Sequence, residues 1–456
     1  MLREEVLRMA RSVQAAMGGE TVLERLFKLA ENGTTVRTEL LAGLTTFMTM
    51  AYIIFVNPSI VSATGMPFDA VLIATAVSAA FATLCMAFLA NYPFALAPGM
   101  GLNAYFTYTV VLGRGISWET ALGAVFLSGV IFIILSLTRV REAIIDAVPE
   151  TLKLAVSGGI GLFIAFIGAQ NAGWVVNSDA TLVTLGKLTE TGPALALAGT
   201  LLTGGLLALR VRGAILWGIL ATAVLSVLLG LSPVPTTLVE MPRFSDWQPV
   251  LGKLDIPGAL RLGLLEIVLV FVFVDMFDTV GTLVGVSTRA GFLDAQGRLP
   301  RARQALLSDA IGTVAGSIFG TPTVTSYIES SSGVAAGGRT GLTAVTVAML
   351  FLLSLLFAPV VRMVADVPFA TAPALVVVGA LMMQVVSRIK WDDASDAIPA
   401  FFTIVAMPFS YSIANGIALG FISYVVVKLL AGKGREVPWL TYALAIAFAL
   451  RFIFLD

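Results

Sequence analysis

Along most of this chain, apolar residues neither alternate with polar ones nor mark a single helix face; they run on in blocks. A helix needs about 20 apolar residues to cross a bilayer. Blocks near that length fall at 38–62, 68–90, 94–112, 117–137, 150–171, 192–209 and 213–231. They continue at 260–286, 304–319, 323–336, 341–361, 371–387, 397–411 and 412–430, and a further stretch at 437–455 makes fourteen spans plus one. The pattern predicts an all-α polytopic membrane protein. Residues 1–36 differ: short apolar clusters at helical spacing sit among acidic and basic residues in equal number. They lack the apolar core of a signal peptide and read as a cytoplasmic amphipathic helix on the membrane surface.

Composition agrees and narrows the function. The 456 residues are 58% hydrophobic and 12% charged, whereas a soluble domain is about 25% charged. That excludes a cytosolic enzyme, a secreted domain and a nucleic-acid binder. Net charge is zero, so nothing points to a polyanionic partner. Cys85 is the single cysteine, which excludes an intrachain disulfide, and there is no histidine. Of the 28 Lys and Arg residues, only Arg114, Lys187, Arg243, Lys253, Arg261 and Arg362 fall opposite the N-terminal side, with Arg451 undecided. The positive-inside rule therefore puts the N-terminus in the cytoplasm, and the bilayer is the inner membrane.

Several spans carry residues that break helices at membrane depth: Asn57-Pro58, Pro98-Gly99, Asp278 followed by Gly281, and Gly320-Thr321-Pro322. Irregular backbone survives there only when buried in protein or lining a cavity. Two breaks are alike. Phe94-Ala95-Leu96-Ala97 precedes Pro98 and a short helix from about Gly101; Thr323-Val324-Thr325 follows Pro322 and precedes a short helix from about Ser326. Each reads as a brief extended stretch feeding a half-helix. They lie in the third and tenth segments, and that odd offset reverses orientation in the bilayer. This is the mark of an inverted repeat, with the binding site where the broken helices meet near the midplane. Pro and Gly are common in membrane helices generally, but matched positions favour the repeat.

Acidic residues inside the spans are few: Glu266, Asp275 and Asp278 in the eighth, Asp309 in the ninth, Glu329 in the tenth. An ionised carboxylate at the bilayer centre costs about 2.5–3.5 kcal/mol even on permissive scales, so each asks for a function. Asp275 and Asp278, three apart, share a helix face. Plainer readings stay open beside these. Asp278 could cap a locally broken helix, and Glu329, three residues after Ser326, has capping-box spacing. Glu266 is nearer an outer end, where solvent reaches it. Asp309 could pair across to another helix or cap one, and Asn103, in the first turn of the other half-helix, could cap or bind ligand. No Arg or Lys is placed to neutralise the acids. Chloride, sulfate and carboxylates are therefore poor substrates, and a neutral, planar, donor-rich solute or a cation fits better. A proton fits too: without histidine, exchange near neutral pH must use carboxylates, and burial brings carboxylic acids toward that range.

Three stretches of sequence resemble the AzgA-like purine permeases, a branch of the nucleobase–cation symporter-2 group. They are Ala97-Pro98-Gly99-Met100-Gly101-Leu102-Asn103-Ala104-Tyr105-Phe106 and Phe273-Val274-Asp275-Met276-Phe277-Asp278-Thr279-Val280-Gly281-Thr282. The third is Thr323-Val324-Thr325-Ser326-Tyr327-Ile328-Glu329-Ser330, continued by Gly333 to Gly341. Likeness extends from about Thr35 to Lys428; only the flanks and the 232–258 loop depart from it. The resemblance implies fourteen segments in two inverted sevens. A core domain would comprise residues 37–137 and 259–362, and a gate domain, which often mediates dimerisation, residues 138–258 with the outer loop and 363–456. It implies proton-coupled uptake of guanine and hypoxanthine, or of adenine in one branch. By the same resemblance Asn103, Asp275 and Glu329 would bind substrate and Asp278 would be required for transport; Thr325, Ser326 and Asp309 are expected to support them.

The rivals are a uracil, xanthine or anion carrier on the same fold, a channel, and a membrane hydrolase using Asp275 and Asp278 as an acid pair. Two acids one helical turn apart converge poorly on a single water. No phosphate loop, nucleophile elbow or zinc motif is present, so no enzyme activity, cofactor or metal is expected.

Overall fold

A computed structural model describes residues 22–138, 148–232, 234–235, 237–261, 265–294, 298–365 and 367–454. Most of the predicted N-terminal amphipathic helix and the side chain of Glu266 lie outside the described residues. The first helices are α1 (Val22–Phe27), α2 (Val36–Met50), α3 (Ile53–Val61), α4 (Phe68–Cys85), α5 (Met100–Ala104), α6 (Trp118–Leu137) and α7 (Glu150–Asn171). Next come α8 (Thr191–Ala208), α9 (Ala214–Leu228), α10 (Phe244–Trp247), α11 (Ile256–Arg261), α12 (Leu265–Ala290) and α13 (Ala302–Phe319). The chain ends with α14 (Ser330–Ala335), α15 (Gly341–Ser354), α16 (Ala358–Ala365), α17 (Pro368–Met382), α18 (Ala394–Phe409), α19 (Ile413–Leu430) and α20 (Trp439–Phe454). Four short strands accompany them: β1 (Leu96–Pro98), β2 (Val175–Ser178), β3 (Leu182–Leu185) and β4 (Val324–Ser326).

Among the described residues, nine helices are long and apolar enough to cross a membrane. Ala214–Leu228, Ala394–Phe409 and Trp439–Ile453 are shorter apolar helices. Together with α13 and the two strand–helix units they coincide with the expected segments, and α20 is the additional C-terminal stretch. Helix starts follow local chemistry. Thr35, Ser117 and Ser412 precede α2, α6 and α19, and each side-chain oxygen accepts from a backbone N–H in the first turn, as N-caps do.

The structure corrects four expectations. Asp278 and Gly281 do not break their helix, since α12 is continuous from Leu265 to Ala290. One interior glycine costs about 1 kcal/mol, which the length and packing of this helix absorb. Nor does α3 break at Asn57-Pro58; it runs through them, and the interruption lies upstream at Ala51–Tyr52. Pro58 has no N–H and its ring crowds the carbonyl one turn back, and the turns before it tighten, with Ile54 N donating to Ala51 O at 3.1 Å. The second half-helix starts at Ser330 rather than near Ser326. Pairing with the first strand holds the chain extended longer, because Tyr327 N donates to Ala95 O at 3.0 Å. Finally, β2 and β3 form an exposed hairpin that the all-α reading did not include.

Buried carboxylates fasten the helices at two places. Glu39 of α2 is fully buried and accepts from Arg339 N (2.9 Å), Thr340 N (3.2 Å), Thr343 N (3.2 Å) and Thr343 Oγ1 (2.6 Å). It thus terminates the α14–α15 turn at the positive end of α15. Near the opposite end of the sequence, Lys428 of α19 lies 3.3 Å from both Asp396 and Glu436, its side chain 4% exposed. Removing one partner of a buried pair typically costs about 3–5 kcal/mol. Lys428→Met keeps the stem but leaves Asp396 with the Thr151 hydroxyl at 3.1 Å. The variant is expected to melt at a clearly lower temperature in detergent; a wild-type melting curve would show that the pair contributes nothing.

Candidate functional site

The two interrupted segments meet backbone to backbone. β1 and β4 pair antiparallel, Leu96 opposite Ser326, Ala97 opposite Thr325 and Pro98 opposite Val324, and both strands are buried. Pro98 lacks an N–H and ends the ladder, after which Gly99 N donates to Thr323 O at 2.9 Å. A Cβ at Gly99 would stand 2.6 Å from Thr325 Cγ2, so the strands cross this closely only with glycine here. Beyond the crossing, Tyr327 Oη donates to Pro98 O at 2.5 Å, and Ala95 N donates to Ser330 Oγ at 3.0 Å.

Each strand delivers one arm of the site. β1 leads into α5, where Asn103 is fully buried, with its backbone N donating to Gly99 O at 2.9 Å. The Asn103 Nδ2 donates to Asn57 Oδ1 at 2.6 Å, whereas its Oδ1 has no partner among the described residues. β4 leads to Glu329, which is partly exposed and accepts from Tyr52 Oη at 2.6 Å. The Glu329 side chain makes no capping bond to α14, so the capping-box reading with Ser326 does not hold.

α12 supplies the facing acids. Asp275, 2% exposed, accepts from Thr313 Oγ1 at 3.1 Å through Oδ2, and its Oδ1 is without a partner among the described residues. Asp278, one turn on, is partly exposed and lies 3.4 Å from Thr325 Oγ1. A side chain at Gly281 would meet open space. Asp309 of α13 is fully buried and accepts from Thr279 Oγ1 (2.9 Å) and Ser326 Oγ (3.1 Å). It therefore pairs across to α12 and β4 rather than capping its own helix. Thr279 and Thr325 hydroxyls are 2.9 Å apart. β4 is the hub: Thr325 and Ser326 reach Asp278 and Asp309, and the Val324 carbonyl, 3.0 Å from the Thr313 hydroxyl, shares that single hydrogen with Asp275. Among the described residues, all four acids have hydroxyl partners.

The structure thus brings together Asn103, Asp275, Asp278, Asp309, Thr325, Ser326 and Glu329. Sequence reasoning missed Tyr52, Thr279 and Thr313, and took Asn57 only as part of a break. A tyrosine or threonine in an apolar run carries no signal of its own; what identifies these is the acid each one touches. On the same helix as Asp275 and Asp278, Phe273 and Phe277 line a narrow apolar crevice with Val156, Lys153, Ile417 and Phe421. It separates α12 from α7 and α19.

The Xan_ur_permease family model, described as a permease family, matches residues 37–419. The chain belongs to this permease family. Members are membrane transporters, and this permease is not an enzyme. A Methanocaldococcus jannaschii permease is 57% identical over 434 residues, covering 95% of this chain and 99% of its own. The guanine/hypoxanthine permease PbuO of Bacillus subtilis is 46% identical, covering 94% and 100%. The adenine permease AdeP of Escherichia coli is 44% identical, covering 96% and 97%. Among solved structures, the transmembrane domain of the cyanobacterial bicarbonate transporter BicA superposes with a TM-score of 0.60 at 16% identity, covering 83% of this chain and 97% of that one. At that identity the permease shares its fold.

Proposed function

We propose that this permease imports purine nucleobases, guanine and hypoxanthine or adenine, by proton symport with alternating access from an N-terminus-inside topology. Residues 37–137 and 259–362 would form a core moving against a gate of 138–258 and 363–456, as two inverted sevens. The antiparallel crossing of β1 and β4 supports that symmetry. The names of the relatives at 44–46% identity supply the substrate class.

One observation carries the reading: among the described residues, buried Asn103 and Asp275 each keep an acceptor without a partner, and Glu329 is half-open. Guanine presents adjacent N–H groups on its Watson–Crick edge, and hypoxanthine one N–H beside a carbonyl. An ionised carboxylate takes such donors at about 1.5–3 kcal/mol per charge-assisted bond. Adenine reverses part of that edge and needs a turned ring or a protonated acid. Asn103, Asp275 and Glu329 are the base contacts in this proposal.

Counting protons supports the coupling. Asp309, Thr279, Thr325 and Asp278 form a row with three contacts, and the two hydroxyls supply two hydrogens. The row is complete only when one aspartate is protonated. Asp278, open to the outside of the row, is the group that would exchange that proton.

Competition of labelled hypoxanthine uptake by guanine, adenine, uracil, xanthine and sulfate tests the substrate class. Purines should compete, and displacement by sulfate or uracil alone would contradict it. Asn103→Ala should weaken the preferred base and flatten the order of preference, since it removes an acceptor aimed at ring donors. Unchanged affinities at normal expression would return Asn103 to a structural role.

A further inference from the structure

The Ala51–Tyr52 interruption and the helix that follows it touch both arms of the site. Tyr52 reaches Glu329, and Asn57, further along α3, faces Asn103. The hydrogen bonds behind Asn57 run in one direction only. Thr75 Oγ1 donates to Val71 O at 2.6 Å, so its single hydrogen is used and it can only accept. Asn57 Nδ2 donates to Thr75 Oγ1 at 2.7 Å and to Thr321 Oγ1 at 3.0 Å. With both amide hydrogens committed, Asn57 turns its Oδ1 toward Asn103. Asn103 must answer with Nδ2, and the atom it has left is the buried, unpaired Oδ1. An isolated amide could be flipped at little cost; this one is fixed by its neighbours.

We propose that Asn57 is the positioning residue that sets base selectivity, by locking Asn103 as an acceptor so that the site takes a ring edge presenting an N–H there. This rests on the reading that Asn103 contacts the base. An edge presenting a lone pair at that point meets a second lone pair, and Asn103 cannot turn to accommodate it. The asparagine of the Asn57-Pro58 pair thereby acquires a role that its position near a helix break did not reveal. A purely structural Asn57 would affect yield and stability without changing which bases compete.

The test is competition of labelled hypoxanthine uptake by hypoxanthine, guanine, adenine and unsubstituted purine, with rates normalised to transporter in the membrane. Asn57→Leu frees Asn103 and is expected to compress the ratio between best and worst competitor by about tenfold, the effect falling on apparent affinity more than on maximal rate. Thr75→Val, nearly isosteric, releases one of the two bonds that orient Asn57 and should shift the ratio the same way, by less. Asn57→Asp presents an acceptor to Asn103 in either protonation state and should restore the original order. Wild-type ratios in both Asn57→Leu and Thr75→Val overturn the proposal; if Asn57→Leu does not reach the membrane, Thr75→Val decides on the same criterion. Asn103→Ala separates the two levels. If it leaves the panel unchanged, the base-contact reading falls and takes this inference with it. If it alters the panel while the other variants do not, only the inference falls.

Discussion

Glu329→Gln is expected to abolish uptake of guanine and hypoxanthine while the protein reaches the membrane at its normal level. The substitution is nearly isosteric, and a glutamine oxygen can still accept from Tyr52 Oη, which lies 2.6 Å from Glu329 in the native protein. The half-helix beyond should therefore keep its place, because α14 takes no cap from this side chain. What disappears is the ionised acceptor that the proposal sets against the base. In its place stands an amide whose hydrogens confront the hydrogens of the purine. Losing a charge-assisted bond worth about 1.5–3 kcal/mol lowers affinity roughly 10- to 150-fold, before any repulsion. Initial uptake rates and surface level are the measurements. Binding retained within about threefold, below ~0.7 kcal/mol, would make Glu329 a structural residue.

Asp278→Asn should separate binding from coupling. The amide supplies a permanent hydrogen to the row through Thr325 and Thr279 to Asp309, imitating the protonated acid in a form that cannot release its proton. Exchange of labelled for unlabelled purine across proteoliposomes should persist. Accumulation against a gradient should be lost, and uptake should no longer vary with pH between about 5 and 8, where buried carboxylic acids exchange protons. Normal accumulation driven by a pH gradient in this variant would remove Asp278 from the coupling path.

The spans were readable in the sequence because bilayer thickness imposes one length on every apolar run, and the helices fall where those runs are. The two strand–helix units were readable for a related reason: proline and glycine at matched depths leave few alternatives. Local signals misled where tertiary contacts decide. Gly281 looked like a break but sits inside α12, whose packing outweighs one weak residue. Pro58 looked like a break but moved the irregularity upstream to Ala51–Tyr52. Ser326 and Glu329 had the spacing of a cap, yet pairing through Tyr327 carries the strand past that point. The acids were visible individually as costly charges; that Thr325 and Ser326 on β4 would join Asp278 to Asp309 depends on the strand crossing, which no spacing encodes. Tyr52 and Asn57 were silent for the same reason, since their partners are far away in the chain.

Proton-coupled purine import is tested most directly in proteoliposomes holding the purified protein, with labelled hypoxanthine outside and an imposed pH gradient, alkaline inside. Uptake should saturate, rise above the outside concentration while the gradient lasts, collapse when a protonophore is added, and yield to excess guanine or adenine. Saturable entry that never exceeds equilibrium, or entry indifferent to the gradient, would contradict symport; no purine entry at all would contradict the function.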